Sequence, residues 1–144
     1  MDENIYAYWL STVTDVGPVT FEKLLEYAGS FEGVWKLSEK EMANPALSIT
    51  AKTQASITGS KDEAMILRSF ENLKNKGISF YHIRHPMYPA RLRYISKPPI
   101  GIYVKGMLPD SRIANVAIVG ARNCSQYGAL CAKKIAEKLS LSGF

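Results

Sequence analysis

The sequence predicts a chain of mixed helix and sheet, α+β passing into α/β: a small helical domain over residues 1–76, then the first part of an open sheet over 77–144. Three observations predict it. Up to Gly77, apolar residues recur on a helical period, with short polar or glycine-bearing turns between the runs. After Gly77 the period changes, and "ISFYHI" (78–83) and "IGIYV" (100–104) read as strands rich in β-branched and aromatic residues. Finally "NVAIVG" (115–120) is apolar without alternation, the pattern of a strand covered on both faces, and it leads through a glycine into a helical run.

The elements follow in order. "IYAYWLSTV" (5–13) carries apolar residues at helical spacing. "PVTFEKLLEYAG" starts at Pro18, which suits a first helical turn, and stops at Gly29. "SFEGVWKL" (30–37) is a further short helix. "SEKE" (38–41) and "SKDE" (60–63) both match the capping box. The second opens the longest helix of residues 1–76, closed by Gly77, with Ala64, Met65, Ile66, Leu67, Phe70 and Leu73 as one broad apolar stripe. Between the first two strands, "RHPMYPARLRYISKPP" is broken by four prolines and has room for one helical turn near "PARLRYI". The third strand and a helix from Ser125 to Leu141 complete the opening of a Rossmann-like sheet, which asks for further strand–helix units. The sequence therefore reads as the N-terminal piece of a longer protein.

Composition bounds the function. At 47% hydrophobic and 22% charged, the chain has ordinary globular usage. No apolar run approaches the ~18 residues of a membrane span, and "MDENIYAYWL" begins acidic, unlike a signal peptide. A soluble, cytoplasmic protein without a membrane partner is the expectation. Cys124 and Cys131 are too few for a disulfide framework. The net charge is +5, and its distribution is uneven. Acids predominate in the first 35 residues, whereas from Lys74 onward only Asp110 and Glu137 oppose a long series of bases. Any anion-binding surface belongs to the second half.

Within that half, "GARNCSQYG" (120–128) joins the third strand to the last helix. Gly120 permits a close backbone approach, Ser125 is placed to cap the helix, and the free N–H groups there favour anions. Arg122 adds a bidentate donor suited to phosphate. The same residues also suit an ordinary strand-to-helix turn with a surface arginine. Neither G-x-G-x-x-G nor a Walker A loop is present.

Taken with its surroundings, the stretch resembles the DNA-processing protein A family, also called DprA or Smf. The matching residues are Tyr88, Pro89 and Leu92, then Pro98, Pro99, Tyr103 and Gly106, then Val119, Gly120, Arg122, Ser125, Tyr127 and Gly128. Ala121 stands where the family usually has serine. The resemblance covers 78–144, and many members also carry a small helical domain, SAM-like or helix-hairpin-helix-like, at the N-terminus. It implies a non-catalytic mediator that binds single-stranded DNA through an extended Rossmann domain, dimerises, and loads the RecA recombinase during DNA uptake in natural transformation. Arg122 takes the role of the phosphate-binding arginine, with Gly120, Ser125 and Gly128 around it. Arg91, Arg93, Lys105 and His85 are candidates for a wider DNA surface. No cofactor or metal is implied.

Other features carry weaker signals. "TDVGPVTFEKLL" resembles a degenerate helix-hairpin-helix, but Pro18 has no N–H to offer a phosphate, and Asp15 and Glu22 flank the turn. Packing or protein interaction is the favoured use. His82 and His85 sit three apart without the remaining spacing of a metal site. Tyr6, Tyr8, Trp9, Tyr27 and Trp35 read as core. Tyr81, Tyr88, Tyr94 and Tyr103 lie among bases and would stack on nucleobases if exposed, although Tyr81 and Tyr103 read as buried sheet residues. Two alternative functions share this sequence pattern: a Rossmann-like hydrolase of nucleoside monophosphates, which needs an acid beyond Asp110 and Glu137, and a pure protein-interaction module.

Overall fold

The structure, a computed structural model, describes residues 1–110, 112 and 114–144. These residues divide into two compact units, Met1–Met107 and Leu108–Phe144.

In the first unit, α1 (Glu3–Thr12) is the element around which the rest is built. The Asp2 carboxylate caps it by accepting from the Ile5 N–H at 2.9 Å. Its run Tyr6, Ala7, Tyr8, Trp9 and Leu10 is buried on every side, because helices and strands pack around it. α2 (Pro18–Ala28) begins at the expected proline and ends at Gly29, whose φ of 76° is the left-handed stop. α3 (Phe31–Lys36) is capped by Ser30, and α4 (Glu39–Met42) by the Ser38–Glu41 capping box.

The turn before α2 is used internally. Asp15 has φ 71°, and its carboxylate accepts from Lys52 Nζ at 2.9 Å and Ser56 Oγ at 3.2 Å. The hydrogen bond and charge of Lys52 hold that carboxyl below its ordinary range.

Three details of the helical region differ from expectation. A helix the sequence does not announce, α5 (Ala51–Gly59), follows the 3-10 turn Pro45–Leu47. It is capped by Thr50 and buries only Thr53 and Ile57, too little for a visible stripe. Ser60 is the C-cap of α5, and Asp62 rather than Ser60 caps α6 (Glu63–Asn75). Finally, α6 buries Ile66 and Phe70 but exposes Met65 and Leu67, so its stripe is narrower than expected.

β1 (Ile78–His82) and β2 (Gly101–Lys105) pair antiparallel, Phe80 opposite Tyr103 and His82 opposite Gly101. The intervening strap holds only a four-residue helix, α7 (Ala90–Arg93). Phe80 and Ile100 belong to the same core as α1, α2, α3 and α6. The first compact unit thus runs through the hairpin, and the boundary expected at 76–77 falls inside it.

In the second unit, α8 (Gln126–Leu141) is the expected helix. The third strand expected at 115–120 is a correction: that segment forms no strand, and Val116, Ile118 and Val119 are exposed. A strand exists through its ladder and its cover. Among the described residues of this unit, no other strand lies alongside 115–120. The coarse expectation of α+β holds, with two strands in the sheet.

Candidate nucleic-acid interface

Ser125 sets the geometry of the loop before α8. With φ −67° and ψ 158° it is extended, and its Oγ accepts from the Gly128 N–H at 3.1 Å. Its carbonyl accepts the Ala129 N–H at 3.0 Å, which starts the helix. The N–H groups of Gln126 and Tyr127 have no acceptor among the described residues, as first-turn groups of a helix do not. A side chain at 128 would meet Ser125 Oγ at 3.4 Å, a close but ordinary contact.

Arg122 is exposed and has no hydrogen-bonding or ionic partner among the described residues. Asp110, the nearest acid before it in sequence, is already occupied: its carboxylate accepts from Arg112 Nη2 at 2.6 Å and Nε at 3.0 Å. Between Asp110 and Glu137 there is no other acid. The loop therefore combines a free guanidinium, open N–H groups and the positive end of a sixteen-residue helix. At Gly120 φ is not positive and an added Cβ would meet no described atom within 4 Å, so the space above that backbone is open.

The other predicted residues lie in the first unit. Arg91 and Lys105 are exposed. Arg93 is exposed, but its guanidinium is engaged within the strap. Its Nε donates to Ile83 O at 3.0 Å and its Nη2 to His85 O at 2.8 Å, and the guanidinium lies 5.8 Å from the Tyr88 ring centroid. His85 is half-buried, its ring 4.8 Å from that of Tyr81, and its Nδ1 accepts from the Met87 N–H at 3.0 Å.

These observations can be set beside known proteins. Residues 79–144 match the family described as DNA recombination-mediator protein A. Protein Smf of Synechocystis sp. is 30% identical over 144 residues, taking in 96% of this chain and 36% of that protein. The chain belongs to the DprA/Smf family. Protein Smf of Borreliella burgdorferi is 38% identical over 56 residues, 39% of this chain and 18% of that protein. The chain thus spans about a third of the Synechocystis relative's length and less of the other's. No solved structure matches it.

Both the loop at 120–128 and the strap with its basic residues lie inside the segment that matches the DprA/Smf family. Within that segment, three side chains sit in surroundings that their neighbours in sequence do not reveal. Tyr88 is 2% exposed, and its hydroxyl donates to Pro99 O at 2.9 Å, which closes the strap. Tyr103, read as buried, is half exposed.

His82 is buried beside Phe31, and its Nδ1 accepts from the Arg84 N–H at 3.2 Å. Burial first, then the charges of His85 and Arg84, lower its pKa to about 4. It is therefore neutral near pH 7. The described residues contain no group of three His, Cys, Asp or Glu able to hold a metal, and no described helix is long and apolar enough to cross a membrane.

Proposed function

We propose that this chain is part of a single-stranded DNA-binding recombination mediator. The loop 120–128 holds a phosphate, with Arg122 supplying the charge and the head of α8 supplying N–H donors. The observation that carries the reading is Arg122, unpartnered among the described residues, beside the Ser125-capped helix start in a segment that matches the DprA/Smf family.

On this reading, 115–120 becomes a strand of a Rossmann-like sheet in the assembled protein. The helices at the N-terminus serve as a SAM-like or helix-hairpin-helix-like interaction module. The protein dimerises, loads RecA onto the strand and works in the cytoplasm during DNA uptake. Its part is binding rather than catalysis.

Arg122→Ala in the full-length protein tests the reading. A phosphate contact carries no base information, so affinity falls alike for strands of different sequence. Losing one phosphate contact lowers the slope of log affinity against log salt by about 0.7. Fluorescence anisotropy with labelled oligonucleotides at several salt concentrations measures both. Unchanged affinity at every salt concentration returns Arg122 to a surface residue on a helix turn.

A further inference from the structure

We propose that Tyr94 is a base-stacking platform: the strap between β1 and β2 takes an unpaired nucleobase on the tyrosine ring, while Arg91 and Lys97 take neighbouring phosphates. The proposal rests on the single-stranded DNA reading above. It adds a second contact, carried by a different unit from the loop at 120–128.

Tyr94 is 88% exposed, and neither its ring nor its hydroxyl has a partner among the described residues. Of the four tyrosines set among bases, it is the one that offers its ring face most fully. Tyr88 is buried, Tyr81 has the His85 ring tilted against it at 4.8 Å, and Tyr103 packs on Phe80 at 5.2 Å.

The backbone that presents Tyr94 is held from beneath. The Tyr88 hydroxyl ties to Pro99 O, and Arg93 clamps the carbonyls of Ile83 and His85. Tyr94 itself caps α7 at φ −90°, ψ −5°. A ring on a pinned strap loses little chain entropy when a base settles on it.

The charge around it selects the partner. Arg91 stands three residues earlier on the same helical turn, so it shares a face with Tyr94. Arg91 and Lys97 are both exposed and unpartnered among the described residues. From Asn72 to Pro109 the chain has no acid at all, against Lys74, Lys76, Arg84, Arg91, Arg93, Lys97 and Lys105. An aromatic face set among cations without acids suits a stacked, polyanionic single strand. Duplex DNA hides the faces of its bases and gains little from such a ring.

The test uses the full-length protein with Tyr94→Ala, Tyr94→Phe, Arg91→Ala and Arg122→Ala. Binding of labelled oligothymidylate and of a matched duplex is followed by anisotropy, with circular dichroism as the folding control. Tyr94→Ala is expected to weaken single-strand binding about five- to tenfold, the lower end for one base–aromatic stack. Its salt slope stays at the parent value, because no charge is lost. Tyr94→Phe keeps the parent affinity, and Arg91→Ala lowers the slope by about 0.7.

If Tyr94→Ala binds as tightly as the parent while Arg122→Ala binds weakly, the stacking role is wrong and the loop reading stands. If the full-length protein shows no single-strand binding, both fall together. An equal loss on duplex DNA overturns stacking, as does a loss in Tyr94→Phe. A Tyr94→Ala variant that keeps DNA affinity but loses association with a protein reassigns the ring to a protein interface.

Discussion

Phe80 is the side chain through which the hairpin enters the helical core, and Phe80→Ala measures how far the two stand or fall together. Its ring is 3% exposed and sits 5.6 Å from the ring of Tyr8 on α1, edge to face. On the other side it covers Gly101, where a Cβ would come within 2.3 Å of Phe80 Cζ. Truncating a buried phenylalanine costs about 3–5 kcal/mol, depending on how well the site collapses. Here Gly101 has no side chain to fall into the space, which favours the upper part of that range.

Such a loss is a large share of the ~5–15 kcal/mol that holds an ordinary domain. Both tryptophans lie in the helices, Trp9 on α1 and Trp35 on α3, with ring centroids 4.8 Å apart. Tryptophan fluorescence therefore reports the helices, while the substitution is made in the strand. In urea unfolding of the 144-residue chain, the fluorescence midpoint is expected to fall by at least about 1 M, given slopes of about 1–3 kcal/mol per molar for small domains. An unchanged midpoint with loss of the hairpin amide signals refutes the reasoning and makes the helices a separate folding unit.

Two further outcomes follow from buried polar groups. Ser60→Ala leaves the Trp9 Nε1–H, which now donates to Ser60 Oγ at 2.9 Å, without its acceptor in the core. The expected cost is about 1–3 kcal/mol, read by the same urea titration. A variant as stable as the parent refutes this account of the serine. His82 has its pKa depressed from 6.5 to about 4, so the unfolded chain binds a proton between those values that the folded chain refuses. The stability it contributes is full above pH 6.5 and is lost as pH falls toward 4. His82→Gln is expected to flatten that part of the melting-temperature profile, and a profile parallel to the parent's excludes His82 as its source.

Much of the local structure was legible because short-range chemistry decides it. Pro18 and Gly29 bracket α2, Ser38 and Glu41 close a capping box, and Ser125 starts α8, each through atoms only a few residues apart. Ser60 shows the limit of such reasoning. Its sequence fits a capping box, yet its hydroxyl is used by Trp9, 51 residues away, and Asp62 caps α6 instead. The candidate site divides in the same way. The loop residues Gly120, Arg122, Ser125 and Gly128 could be named from their order along the chain. The engagement of Arg93 with two carbonyls, and the exposure of Tyr94 beside a buried Tyr88, could not.

By itself the sequence determined the family, the division of charge between the halves, the helix limits set by prolines, glycines and capping side chains, and the arginine at the head of α8. Only the tertiary structure decided that the hairpin shares its core with the helices, that 115–120 is not a strand among the described residues, and that Tyr94 is exposed on a strap whose Tyr88 is buried. The physical reason is range. Caps and turns are satisfied within one or two turns of backbone, whereas a strand and a buried ring depend on partners supplied from elsewhere in the chain.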